Sequence, residues 1–224
     1  MIKSHPAQNL LRNYVAGDLN SASALVVATH VDMCPHCQRH CRAIEAELSA
    51  EVFQNSAQLG DSDMQLMLDA IFSSESATEQ RPLTAETNHD GMISLEGKRF
   101  KLPRSLARQQ ARIGPWNKMI GNMWRASLSL GTEEVANLIY MGQHCSVPEH
   151  THRGSELQVV INGTFSDEYG QYSDGDLLLL DGTHKHTPHT NDEDCLILAV
   201  MDAPLHFTSG ISRLLNPFSN LFFR

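Results

Sequence analysis

Along the first part of the chain, apolar residues recur with the 3.6-residue period of a helix. In "AQNLLRNYVAG", Ala7, Leu10, Leu11, Tyr14 and Val15 share one face, and Gly17 stands where a left-handed helix stop belongs. "SASALVVATH" follows Asn20, a residue suited to an N-cap, and runs to His30. From Cys34 a longer segment repeats Cys37, Cys41, Ile44, Leu48 and Val52 on one stripe, which predicts a helix to about Phe53. "MQLMLDAIF" places Met64, Met67, Leu68, Ile71 and Phe72 on a fourth apolar face, and Asp61, Ser62 and Asp63 suit its N-terminus.

The pattern then breaks. "SSESATEQRPLTAETNHDG" is polar and interrupted by Pro82, as a linker is, and the two halves are expected to form separate cores on either side of it. Beyond it the apolar period changes to 2 or to short runs: "NMWRASLSL", "VANLIYM", "ELQVVI", "DLLLL" and "CLILAVM", punctuated by Gly, Asn and Asp. Asn162-Gly163 within "VVINGTF" is a hairpin signal. These periods predict an α+β chain of two domains: a small four-helix unit over residues 1–80, a linker running into the next domain over 81–105, an all-β barrel or jelly roll over 106–210, and a tail over 211–224 that covers the barrel or docks on a partner.

Charge and composition narrow the function. The formal charge of −9 argues against direct nucleic-acid binding, because little here would displace counterions from phosphates, and favours a basic protein partner. No apolar run is long enough to span a bilayer, and the N-terminus lacks a signal-peptide core, so a cytoplasmic location is expected. Five cysteines, three of them at Cys34, Cys37 and Cys41, suit metal or redox chemistry in a reducing compartment better than a disulfide framework. Cys145 and Cys195 read as core.

Two clusters carry the chemistry. "HVDMCPHC" places His30, Cys34 and Cys37 at the junction of two helices, where a turn brings an imidazole back over two thiols one helical turn apart. A structural zinc site needs a fourth ligand, and His5, His36, His40 and Cys41 are available, although Cys41 continues an apolar stripe. The second cluster is "PEHTHRGSELQVVING". His150 and His152, two apart on a strand, point to one side, and Glu156 can join them if that strand stays regular or bulges once. "GDLLLLDGTHKHTPHTN" supplies further imidazoles at His184, His186 and His189. Three imidazoles and one carboxylate suit a divalent first-row metal with open positions: Zn2+ first, with Mn2+, Fe2+ or Ni2+ as the other choices.

"HVDMCPHC", with a helix and a histidine ahead of it and two helices behind, resembles the zinc-containing anti-sigma factor domain of bacteria. That resemblance implies one Zn2+ held by His5, His30, Cys34 and Cys37. The second pair of segments resembles the two cupin motifs, which implies a metal held by His150, His152, Glu156 and His186. The second motif departs from the usual pattern at Asp181 and Thr183, and spacing from Gly175 selects His186 over His184 and His189. A zinc anti-sigma domain followed by a cupin resembles the ChrR type of anti-sigma factor. The resemblance implies a non-enzymatic regulator that sequesters an extracytoplasmic-function sigma factor in a 1:1 complex and releases it in response to singlet oxygen or related oxidants through the cupin. The methionine-rich fourth helix, with Met64, Met67, Leu68, Ile71 and Phe72, is the expected contact for sigma. The rival expectation is a metal-dependent cupin enzyme such as a dioxygenase, with the helices as an oligomerisation module.

Overall fold

The computed structural model describes residues 1–54, 61–73, 91–131, 134–208 and 216. Four helices come first: α1 (Gln8–Ala16), α2 (Ser21–Met33), α3 (Pro35–Gln54) and α4 (Asp61–Ser73). Gly17 ends α1 in the left-handed conformation at φ 80°, with its N–H directed at the carbonyl of Tyr14. Asn20 caps α2, its side-chain oxygen accepting from the N–H groups of Ala22 and Ser23. The stop and the start both lie where the sequence places them.

The helices differ in what they bury. Helix α2 has buried residues on all sides, including Ala22, Val26, Val27 and His30, because it is sandwiched between other elements. Helix α3 buries Cys37 and Ile44, but its last turns overhang: Val52, expected on the buried stripe, is 67% exposed and Phe53 is 79% exposed. On α4, Met64, Leu66, Met67, Leu68, Ile71 and Phe72 are all exposed. The side chains of Asp61, Ser62 and Asp63 lie outside the described residues, as do residues 81–90 of the expected linker and, apart from Asn216, the expected tail.

The β half begins with a hairpin, β1 (Met92–Leu95) and β2 (Lys98–Lys101), inside the stretch expected to be linker. Phe100 stacks on Tyr140 at 5.7 Å, and Lys98 pairs with Asp194, so the hairpin is fastened to the barrel. After a short helix α5 (Arg104–Ala107) come β3 (Asn117–Lys118), β4 (Met123–Leu128), β5 (Val135–Met141), β6 (His150–His152), β7 (Glu156–Ser166), β8 (Gln171–Ser173), β9 (Leu177–Leu180), β10 (Lys185–His186), β11 (Cys195–Met201) and β12 (Leu205–Phe207). One sheet has the order β3-β4-β5-β11-β7-β8 with β9 also on β7; the other has the order β10-β6-β12. The two sheets face each other as a cupin-like barrel.

Two expectations change. Asn162-Gly163 does not turn a hairpin: both lie within the continuous strand β7. Asn162 pairs with Leu196 and Val160 with Ile197, so Ile161 is an extra residue, and Gly163 at φ +87° accommodates a bulge. The β-branched run Val159–Ile161 ahead of the pair, pairing of Glu156–Gly163 with the whole of β11, and pairing of Thr164–Ser166 with β8 outweigh the local turn preference. Nor do the two halves form separate cores. Leu11, Val26, Val27 and Ile44 belong to the same buried cluster as Leu157, Val159, Ile161, Leu196 and Leu198. Helix α2 lies against β7 and β11, which explains why it carries no polar face. Asp32 on α2 accepts from the N–H of Ser105 at 2.6 Å, and Glu134 accepts from the side chains of Asn20 and Ser23.

Candidate metal centres

At the first centre, α2 ends one turn after His30, and α3 starts at Pro35 with Cys34 at the break. The reversal sets His30 Nε2 3.2 Å from Cys37 Sγ. The segment ahead of α1 folds back so that His5 Nδ1 lies 3.5 Å from both Cys34 Sγ and Cys37 Sγ. Donor atoms of His5, His30, Cys34 and Cys37 all lie within 4.8 Å of one another. A tetrahedral zinc with bonds of about 2.0 Å to nitrogen and 2.3 Å to sulfur requires separations of about 3.3–3.8 Å, close to those seen. His36 and His40 stack beside His5 without joining the group, and Cys41 packs against the core.

Proton placement tests whether a cation fits. His30 Nδ1 is 2.6 Å from the carbonyl oxygen of Gly175, so Nδ1 carries the proton and donates. Its Nε2 lone pair therefore points at sulfur. Burial lowers the His30 pKa and, together with neighbouring Cys34, pushes Cys37 up to about 12 without a cation; zinc would reverse that by binding the thiolate.

In the second centre, His150 and His152 project from β6 to one side, and β10 pairs antiparallel with β6 so that His186 faces His150. Glu156 does not extend the same strand, as its even spacing implied. The chain turns at Arg153–Ser155 and crosses to the other sheet, and Glu156 opens β7. Asp202 holds that turn by accepting from the N–H and hydroxyl of Ser155, each at 2.7 Å. A β-carbon at Gly154 would collide with the Asp202 carboxylate, which is why glycine stands there.

His186 Nε2 lies 3.1 Å from His150 Nε2 and 3.2 Å from His152 Nε2, and Glu156 Oε2 is 3.3 Å from His152 Nε2. Bonds of about 2.1 Å to one ion predict separations of about 3.0–3.4 Å. The three imidazoles, whose ligand nitrogens all lie within 4.8 Å of one another, form that group, while Glu156 approaches it through His152 without lying within that distance of all three. His150 donates through Nδ1 to the carbonyl of Pro148 at 2.9 Å, and His186 donates through Nδ1 to Asp167 at 3.0 Å. Two Nε2 lone pairs then face each other in a dry site, an arrangement that a cation between them would relieve. Burial lowers His150 to about 4 and His152 to about 3, the neutral form that ligates, and raises Glu156 to about 7. His184 binds Asp181 at 2.9 Å and His189 binds the carbonyl of Thr187 at 3.1 Å; neither joins the group. Above the site is a cavity walled by Met119, Met123, Met141, Phe165 and Phe207, with His150, Glu156 and His186 at its polar end.

Asp167 is the residue that the sequence hid. Its carboxylate is buried against His186, and burial, which works to raise its pKa, is outweighed by the hydrogen bonds from His186, Tyr169 and Gly170. It sits in "SDEYG" between strands, at no spacing that relates it to a histidine nineteen positions away.

With this geometry in hand, known proteins are similar over nearly the whole chain. Residues 107–205 match the ChrR cupin-like domain family. The anti-sigma-E factor ChrR of Cereibacter sphaeroides is 32% identical over 97% of this chain and 98% of its own. The chain belongs to the ChrR family. Among solved structures, Rhodobacter sphaeroides SigE in complex with the anti-sigma ChrR matches with a TM-score of 0.66 and 28% identity, covering 90% of this chain and 100% of that one. In this ChrR family member no helix among the described residues is long and apolar enough to cross a membrane.

Proposed function

We propose that this protein is a cytoplasmic, non-enzymatic anti-sigma factor. It binds one extracytoplasmic-function sigma factor in a 1:1 complex and releases it when singlet oxygen or a related oxidant acts on the cupin. The observation that carries this reading is the likeness, over 90% of the chain, to a ChrR captured with SigE. The helical segment 1–80 is the sigma-binding part, joined through 81–105 to the sensor over 106–210, with residues 211–224 as a tail. His5, His30, Cys34 and Cys37 hold a structural Zn2+. His150, His152, Glu156 and His186 hold a second divalent cation, which when bound supplies a Lewis-acidic centre open to the cavity.

The apolar residues of α4, Met64, Met67, Leu68, Ile71 and Phe72, are exposed and suit a partner. Inhibition is mass action: a bound sigma cannot use the same surfaces on polymerase and promoter. Release requires the signalled state to bind sigma less well, by a coupling free energy between the two halves. The test is co-expression of the tagged chain with each extracytoplasmic-function sigma factor of its own organism. The expected result is a 1:1 complex that dissociates on illumination with a photosensitiser. Failure to retain sigma, together with turnover of a small molecule at about 1 per second or faster, would overturn the reading in favour of a cupin enzyme.

A further inference from the structure

The two centres are joined by one stretch of chain. It starts at Asp167, whose Oδ2 takes the Nδ1 proton of His186 at 3.0 Å. The other carboxylate oxygen, Oδ1, accepts from the N–H groups of Tyr169 and Gly170 at 2.8 and 3.1 Å, so the turn into β8 is set by the same side chain. Strand β8 then runs along β7 to Ser173. Asp176, fully buried, closes the next turn: its Oδ2 accepts from the N–H of Ser173 at 2.9 Å.

The far end of this stretch grips the zinc centre. Asp176 Oδ1 accepts from the N–H groups of Lys3 and Ser4 at 2.6 and 2.8 Å, and the N–H of Leu177 donates to the Ser4 carbonyl at 3.1 Å. His5 is the next residue. The Gly175 carbonyl takes the Nδ1 proton of His30 at 2.6 Å. Gly175 itself is at φ +86°, and a β-carbon there would run into Ile2. Two of the four ligands of the helical centre are thus held by residues of the barrel.

We propose that the segment Asp167–Asp176 is a mechanical link in which Asp167 reads the cupin ligand His186 while Gly175 and Asp176 position the zinc ligands His30 and His5. This deepens the function proposed above and rests on its two metal centres. Outer-shell hydrogen bonds orient metal-ligating histidines, and removing one costs about 10–100-fold in metal affinity. A cation on His186 Nε2 strengthens the Nδ1–H donation to Asp167, and loss of the cation weakens it. The turn that Asp167 also holds then loosens at one end of a strand whose other end positions His30 and His5. Asp167 and Asp176 are positioning residues.

The test is cobalt(II) titration of the full-length apo-chain without sigma, followed by the thiolate-to-cobalt charge-transfer band. That band reads only the Cys34–Cys37 centre, because no sulfur ligand belongs to the other. Asp176→Asn, which keeps the shape, should weaken cobalt at the thiolate centre about tenfold or more. Asp167→Asn, and separately His150→Ala, should weaken it about fivefold or more although neither touches that centre. In the Asp176→Asn background the effect of His150→Ala should vanish, which a general loss of stability would not produce. A thiolate band that responds to Asp176→Asn but stays within about twofold of the parent in both Asp167→Asn and His150→Ala would overturn the link and leave the centres independent. Should Asp167→Asn fail to fold, His150→Ala decides alone. Absence of the band from the parent would overturn the metal reading itself, and the link with it.

Discussion

Gly163 on β7 lies directly against the carbonyl oxygen of Asp194, where a β-carbon would collide with that oxygen. Its φ of +87° is a second reason for glycine, since L side chains rarely adopt it. Gly163→Ala should therefore strain the bulge and cost about 1–3 kcal/mol. Urea unfolding checks this, and a parent-like midpoint would show that the strand re-registers without penalty.

Asp194 also accepts from Tyr140 at 2.7 Å and from Lys98 on the hairpin. Burial works to raise its carboxyl, but these hydrogen bonds win and hold it below the ordinary 3.8. A depressed carboxylate contributes stability that is complete above its unfolded value and is lost as pH falls through its folded one. Asp194→Asn should lower the unfolding midpoint at neutral pH, and the gap to the parent should close below about pH 4. A gap independent of pH would mean that shape, rather than charge, makes the contact.

Cys34→Ser or Cys37→Ala should each lose the N-terminal zinc, and sigma binding with it, because ligands assembled only by folding make metal binding part of folding free energy. Cys41→Ala, a half-buried thiol outside the cluster, should keep both. Metal analysis of the purified variants discriminates, and one full zinc equivalent in the Cys34 and Cys37 variants would remove both from the ligand set.

Single replacement of His150, His152, Glu156 or His186 should empty or weaken the cupin centre while sigma is still bound and repressed. Oxidant should then fail to release it, since a signal shifts an equilibrium only through a site that distinguishes the two states. His184→Ala and His189→Ala are controls, each held by its own partner away from the cluster. Sigma-dependent transcription with and without singlet oxygen is the readout. Normal induction in a variant shown to lack the cupin metal would eliminate that metal as sensor.

On α4, Met67→Asp and Phe72→Asp should each weaken sigma binding at least tenfold yet change unfolding free energy by no more than about 0.5 kcal/mol. Both side chains are exposed, at 55% and 82%, so the folded chain gives up little burial. An unchanged affinity in both variants would move the sigma contact off this helix.

Local chemistry in the sequence determined the helix stop at Gly17, the helix start at Asn20, the helical period of the first half, the strands of the second and the close spacing that makes His30, Cys34, Cys37, His150 and His152 candidate ligands. Each of these depends on neighbours a few residues away, or on a spacing that survives in one dimension. Tertiary structure alone decided the rest. Asn162-Gly163 is a bulge because pairing with β11 along a whole strand outweighs the preference of two residues for a turn. Helix α2 has buried residues all round because a barrel sheet lies against it, and no period within the helix names that neighbour. Asp167 and Asp176 look like ordinary turn acids until folding carries them to His186 and to the N–H groups of Lys3 and Ser4, because a hydrogen bond is made between positions in space and leaves no period in the chain.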